Sequence, residues 1–89
     1  MLASMNQDLA KECKASEEDL ELYDFVMDEW RVLRNKCEAA SIAVDDEDRR
    51  ATEQSVALAE EALGVGRIED CLEQLGAADA AMERLRRRI

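Results

Sequence analysis

The 89-residue chain contains no proline, no histidine and only three glycines, and its aromatic residues are one Trp, one Tyr and one Phe. Each shortage excludes something. Without proline, and with Gly64, Gly66 and Gly76 as its only glycines, the sequence has few places where a helix must stop. Without histidine, the commonest general base, nucleophile activator and metal ligand are missing. With so few aromatics, a core must be built from Leu, Val, Ile, Met and many alanines, which pack closely but bury little area each. No run approaches the ~20 apolar residues that a bilayer-spanning helix needs, so no membrane partner is expected.

Cysteine is also sparse. Cys13, Cys37 and Cys71 are odd in number and far apart, with no C-x-x-C pair. The stretch from Met1 to Lys14 mixes apolar residues with Asp8, Lys11 and Glu12 and has no hydrophobic signal-peptide region. The expectation is a cytoplasmic protein with free thiols in a reducing compartment.

What is present is apolar periodicity at helical spacing, nearly end to end. It predicts an all-α fold: a small antiparallel three-helix bundle with a long first helix and coiled-coil-like packing, in a single domain over 1–89. Ser16-Glu17-Glu18-Asp19 resembles a capping box, which starts a helix near residue 17. Nothing in Ala10–Ala15 breaks a helix, however, and Leu2, Met5, Leu9, Cys13 and Leu20 keep to one stripe. The first helix is therefore placed at about 2–43, with a break near 14–16 as the alternative. Asp45 or Asp46 begins a second, at 46–63, which Gly64 should close in the left-handed conformation. The third covers 66–88, with Gly76 inside it as a weak point of about 1 kcal/mol.

Two of the three seams are clear. Tyr23, Val26, Trp30, Leu33, Cys37, Ala40 and Val44 follow alternating three- and four-residue steps, as do Ile68, Cys71, Leu75, Ala78, Met82, Leu85 and Ile89. The second helix offers Thr52, Val56, Ala59 and Leu63, or the smaller set Ala51, Ser55, Leu58 and Ala62. Leu58, Ala59, Gly66, Cys71, Leu75 and Ala78 also sit at spacings similar to the small-residue pattern of a tetratricopeptide helix pair. The likeness covers one repeat and departs at Ser55, Ala62 and Glu83, and a lone repeat cannot stack. It describes two closely packed antiparallel helices.

The motifs that carry chemistry are absent. Cys37 and Cys71 lie on apolar seams, where a thiol behaves as an inert core residue rather than a nucleophile. Three scattered cysteines do not make a zinc site within one chain. Gly64-Val65-Gly66 is too short to cradle a phosphate, and Asp45-Asp46-Glu47-Asp48 lacks the spacing and central glycine of a calcium loop. No catalytic residue, cofactor or metal is expected, and no enzyme activity.

Charge and surface point elsewhere. Twelve basic and 22 acidic side chains give a formal charge of −10; setting aside Arg84, Arg86, Arg87 and Arg88, the remainder carries −14. Acid at helix starts and arginine at a helix end both complement the helix dipole. The acid from Glu17 to Glu29 has a second association. At about 100° per residue, Phe25 and Val32 point some 130° away from the Tyr23/Trp30/Cys37 seam, with Ala39 continuing the row and Leu22 between the two faces. A simple bundle should be polar there. The first helix is also long: residues 17–43 would span ~40 Å, and 2–43 ~63 Å, against ~28 Å for the second. Ends projecting beyond the bundle, with Leu2, Met5 and Leu9 on them, suggest a homodimer.

The resulting expectation is a non-catalytic protein–protein interaction module, an adaptor, regulatory or chaperone-like bundle. Its partner-binding face comprises Leu22, Phe25 and Val32 as apolar anchors, with Glu18, Glu21, Asp28 and Glu29 favouring a basic partner. The alternative is an acidic inhibitor that presents carboxylates where phosphates would bind, as small phage- or plasmid-encoded anti-defence proteins do. Direct DNA binding is not expected at this net charge.

Overall fold

A computed structural model describes residues 16–89. Among these the protein is 84% helical, contains no strand and forms a small all-α three-helix bundle. The helices are α1 (Glu17–Ala39), α2 (Glu47–Gly64) and α3 (Ile68–Arg88). Continuation of the first helix back to residue 2, the stripe through Leu2, Met5 and Leu9, and Cys13 all lie outside the described residues.

The helix starts follow local chemistry. Ser16 caps α1: its hydroxyl accepts from the Asp19 N–H, and the Asp19 carboxylate accepts from the Ser16 N–H. Asp46 caps α2 by accepting from the N–H groups of Asp48 and Arg49. The start of α3 has no side-chain cap, but Glu69 and Asp70 occupy its first turn and Arg67 pairs with Asp70.

The helix ends correct two expectations. α1 stops at Ala39, not near 43, because Ser41 takes a left-handed conformation (φ 61°). The Ser41 N–H then donates to the Glu38 carbonyl and the Ile42 N–H to that of Cys37, which is the Schellman pattern of helix closure. Glycine normally fills that position, so the sequence carried no stop signal there. α2 closes by the same pattern, but the left-handed residue is Gly66 (φ 79°) rather than Gly64, which is still helical. The Gly66 N–H reaches Leu63 and the Arg67 N–H reaches Ala62.

These turns make α2 antiparallel to both neighbours and leave α1 and α3 side by side in the same direction. α2 packs most heavily on α3, while α1 packs less on α3 and least on α2. The core cluster joins Val26, Trp30, Leu33 and Cys37 of α1 to Ala59 and Ala62 of α2, and to Cys71, Leu75, Ala78, Met82 and Leu85 of α3. Fully burying a Leu or Met side chain is worth roughly 1.5–3 kcal/mol, so Leu75, Met82 and Leu85 dominate an otherwise alanine-rich interior. Small residues at Ala59, Ala62 and Ala78 let α2 and α3 approach closely, as the alanine spacing suggested. Both seams fray at their ends: Ala40, Val44 and Ile89 are exposed. On α2 Arg49, Thr52, Ala59 and Ala62 are buried. The stripe Thr52, Val56, Ala59 and Leu63 turns inward throughout, whereas of the other stripe only Ala62 is buried and Leu58 is exposed.

One core residue is charged. Arg49 is only 4% exposed, donates from Nη1 to the Ile42 carbonyl at 2.9 Å and sets Nη2 3.5 Å from Glu38. It ties the α1–α2 turn to the first turn of α2.

Candidate partner-binding face

The predicted anchors are on the surface. Leu22, Phe25 and Val32 are 45%, 58% and 52% exposed, although they belong to the helix that also buries Trp30 and Leu33. Their position explains this: they sit where α1 borders α3, one step outside the seam. Leu22 and Phe25 form one wall of a groove of about 260 Å³ whose other wall is Leu72, Gly76 and Asp79 of α3, with Val26 and Leu75 lining it as well. Val32 borders a second hollow of about 240 Å³, together with Leu33, Lys36, Arg86 and Ile89.

Glu29 separates the two. It is half-buried, with its carboxylate 3.7 Å from the Arg86 guanidinium, so it is a bridge between α1 and α3 rather than a free rim charge. Asp28 is exposed and pairs with Arg31 at 3.6 Å. Glu18 and Glu21 are exposed and form no ion pair among the described residues. The structure thus brings together six of the seven predicted residues as an exposed apolar row and its acidic border, and assigns the seventh, Glu29, a structural contact.

Sequence reasoning missed the α3 half of this face. Leu72 and Gly76 each follow a seam residue by one position, which was the available signal, but Gly76 looked only like a weak point in a helix. In the fold it has a steric consequence: a Cβ added at Gly76 would meet nothing within 4 Å. The wall of the groove is therefore open.

The C-terminal arginines are committed inside the chain. Arg88 grips Asp46 with both terminal nitrogens, at 2.8 and 2.7 Å, and reaches Asp48 at 3.1 Å; Arg84 meets Asp48 at 2.9 Å. Pairing with Arg88 holds the Asp46 carboxyl down at about 2, and Arg84 lowers that of Asp48. Arg87 pairs with Glu83, and Arg86 lies within reach of Glu29, Asp79 and Glu83. The remaining thiols are inert in character. Cys37 and Cys71 are buried and unbonded, and burial pushes both above the ordinary thiol value, away from thiolate.

Among the described residues no cluster of metal-ligating side chains occurs, and no helix is long and apolar enough to cross a membrane. No family model matches the chain, and comparison with curated proteins and with solved structures likewise finds no match.

Proposed function

We propose that the protein is a non-catalytic protein–protein interaction module that docks a partner on the face formed by Leu22, Phe25 and Val32. The observation that carries this reading is the apolar row itself. Three large hydrophobic side chains are about half exposed along one helix, lining two hollows with residues of α3. Exposed hydrophobes scattered singly are ordinary, whereas Leu22 and Phe25 flank one hollow and Val32 a second along the same helix face, which together mark an interaction surface. Glu18 and Glu21 border the row without ion pairs among the described residues, which favours a basic binding surface and faster encounter with it. The cytoplasmic location expected from the free thiols suits such a module.

A second reading rests on a different stripe. Glu17, Glu21, Asp24 and Asp28 are exposed at spacings of four, three and four residues along α1, a row of carboxylates that could occupy a phosphate-binding site as an acidic inhibitor. The two readings separate on charge and salt.

The experiment compares capture of binding proteins from the native host by three chains: wild type, Phe25→Ser with Val32→Ser, and Glu21→Lys with Asp28→Lys. For an apolar docking face, the serine pair should lose about 2–4 kcal/mol of binding through two missing anchors. Charge reversal should then act mainly on association rate and its salt dependence. For a phosphate mimic the order inverts: charge reversal abolishes binding and the serine pair retains it. Retention of every captured protein by the serine pair would end the docking reading.

The homodimer expectation is tested at the same time. Within the described residues α1 has 23 residues against 18 for α2, and the extension back to residue 2 on which the expectation also leaned lies outside them. Light scattering at ~100 µM, far above micromolar dissociation constants, reads the mass directly.

A further inference from the structure

We infer that the occupant of the α1–α3 groove is a cationic amphipathic helix, seating one apolar anchor in the open hollow beside Gly76 and a second, two turns along, beside Val32 and Ile89. This rests on the interaction-module reading and commits it to one kind of partner.

The spacing of the face sets the shape of the partner. Phe25 and Val32 are seven residues apart on α1, a rise of about 10.5 Å, which equals two turns of any helix laid along the groove. α1 and α3 run side by side in the same direction, with Leu22 and Phe25 facing Leu72 and Gly76, and Val32 sharing the next hollow with Ile89. Side chains at i and i+7 of the guest therefore fall in register with the two hollows. Between them the Glu29–Arg86 pair forms a polar step, so the intervening turn of the guest should present a polar residue.

Gly76 sets the size of the first anchor. Nothing lies within 4 Å of where its Cβ would be, while Leu22, Phe25 and Leu72 surround the same space. An apolar side chain of Leu or Phe size can enter where any other residue of α3 would narrow the hollow.

Charge selects the class of partner and argues against a second copy of this chain. Glu18 and Glu21 stand on the α1 side without ion pairs among the described residues, and Asp79 lines the α3 side. A second copy with net charge −10 would bring the same carboxylates against them. Its cationic C-terminal turn would not compensate, since Arg84 and Arg88 are held by Asp46 and Asp48 and Arg87 by Glu83. Lysine or arginine flanking the guest's first anchor would meet Glu18 and Glu21, which have no ion pair among the described residues, and Asp79, whose contact with Arg86 is long at 4.0 Å. Beside the second hollow Lys36 and Arg86 are already cationic, so the guest's positive charge belongs at the Gly76 end.

The test uses the full chain and three fluorescently labelled synthetic peptides, followed by anisotropy. The first is a lysine-rich helical peptide with leucines at i and i+7. The second replaces every lysine with glutamate, and the third moves the second leucine to i+5. The expected result is binding of the first peptide, with each of the others weaker by about tenfold or more. Gly76→Leu, which fills the hollow on an exposed helical position, should weaken the first peptide by a similar factor while circular dichroism and the denaturation midpoint show an intact fold. Absence of binding by the first peptide, or equal binding of the glutamate analogue, overturns the inference. Loss of binding with Phe25→Ser but none with Gly76→Leu also overturns it, yet leaves the α1 docking reading standing. A dimeric mass that reverts to monomer with Phe25→Ser assigns the face to a second copy and likewise overturns it.

Discussion

The two ends of the α1–α3 pair use charge in opposite ways. At the end nearest the α1–α2 turn, acid is matched with arginine: Glu38 with Arg49, Asp46 and Asp48 with Arg88, and Asp48 again with Arg84. At the other end Glu18 and Glu21 have no such match among the described residues, and they border an apolar groove instead of closing one. Arg84–Asp48 and Arg88–Asp46 join residues 36 and 42 apart and fix the last turn of α3 against the first turn of α2, while Glu38–Arg49, 11 apart, joins α1 to α2. Among the described residues, Glu18 and Glu21 at the unmatched end tie no two helices together. Here the fold draws on one set of carboxylates and leaves the other accessible.

The largest expected effect of breaking this contrast lies at Arg49. Its guanidinium is the donor to the Ile42 carbonyl in a turn that holds Ser41 in a left-handed conformation. Arg49→Ala should cost about 2–3 kcal/mol, combining lost packing with a sheltered carbonyl left without its donor. Arg49→Met keeps much of the volume and should recover part of that loss. Urea denaturation of both variants measures it. A shift within the ~0.5 kcal/mol typical of surface substitutions would mean that the turn is held by its backbone bonds alone.

How much of this was readable beforehand divides along the same line. The seams of α1 and α3 were legible because burial and 3.6-residue periodicity coincide there: Val26, Trp30, Leu33 and Cys37 are all core, as are Cys71, Leu75 and Met82. The starts at Ser16 and Asp46 were legible because capping is local chemistry. The end of α1 was not, since Ser41 adopts the conformation glycine would have announced. Arg49 was missed because a charged residue is not sought in a core, although it extends the Thr52, Val56, Ala59 stripe backwards by three residues. Pairing of Arg88 with Asp46 links residues 42 apart, which no periodicity reveals. The candidate face was half legible: its α1 row follows from angle counting, whereas Leu72 and Gly76 became part of it only when α3 was placed alongside.

A smaller effect should follow from removing charge at the matched end while keeping its cap. Asp46→Asn retains an N-cap side chain but loses the ion pair with Arg88. In the wild type the Asp46 carboxyl lies at about 2, against an ordinary value of 3.8, so between these values the folded state binds fewer protons than the unfolded chain. The stabilisation is therefore complete above the unfolded value and fades as pH falls through the folded one. The variant should be less stable than the wild type at pH 7, and the gap between their urea midpoints should narrow between about pH 4 and pH 2. A gap constant across that range would show that Asp46 acts through the cap and not through the pair.

The smallest effect should come from the unmatched end. Phe25 and Val32 lie outside the core cluster and are more than half exposed, so replacing both with serine removes little area that folding had buried. Serine is about as good a helix former as valine or phenylalanine, and α1 keeps its cap and its buried seam. The double variant should therefore unfold within about 0.5 kcal/mol of wild type for each site, with unchanged helicity by circular dichroism. Losing helicity, or more than about 2 kcal/mol as a core truncation would, sets a different conclusion. The row would then be part of the protein's own interior, covered in solution by another part of the chain or by a second copy. The contrast between a closed end that sustains the fold and an open face available to a partner would collapse with it. Stability that holds while partner capture is lost separates the two ends experimentally, because the same pair of substitutions would have removed recognition and left folding intact.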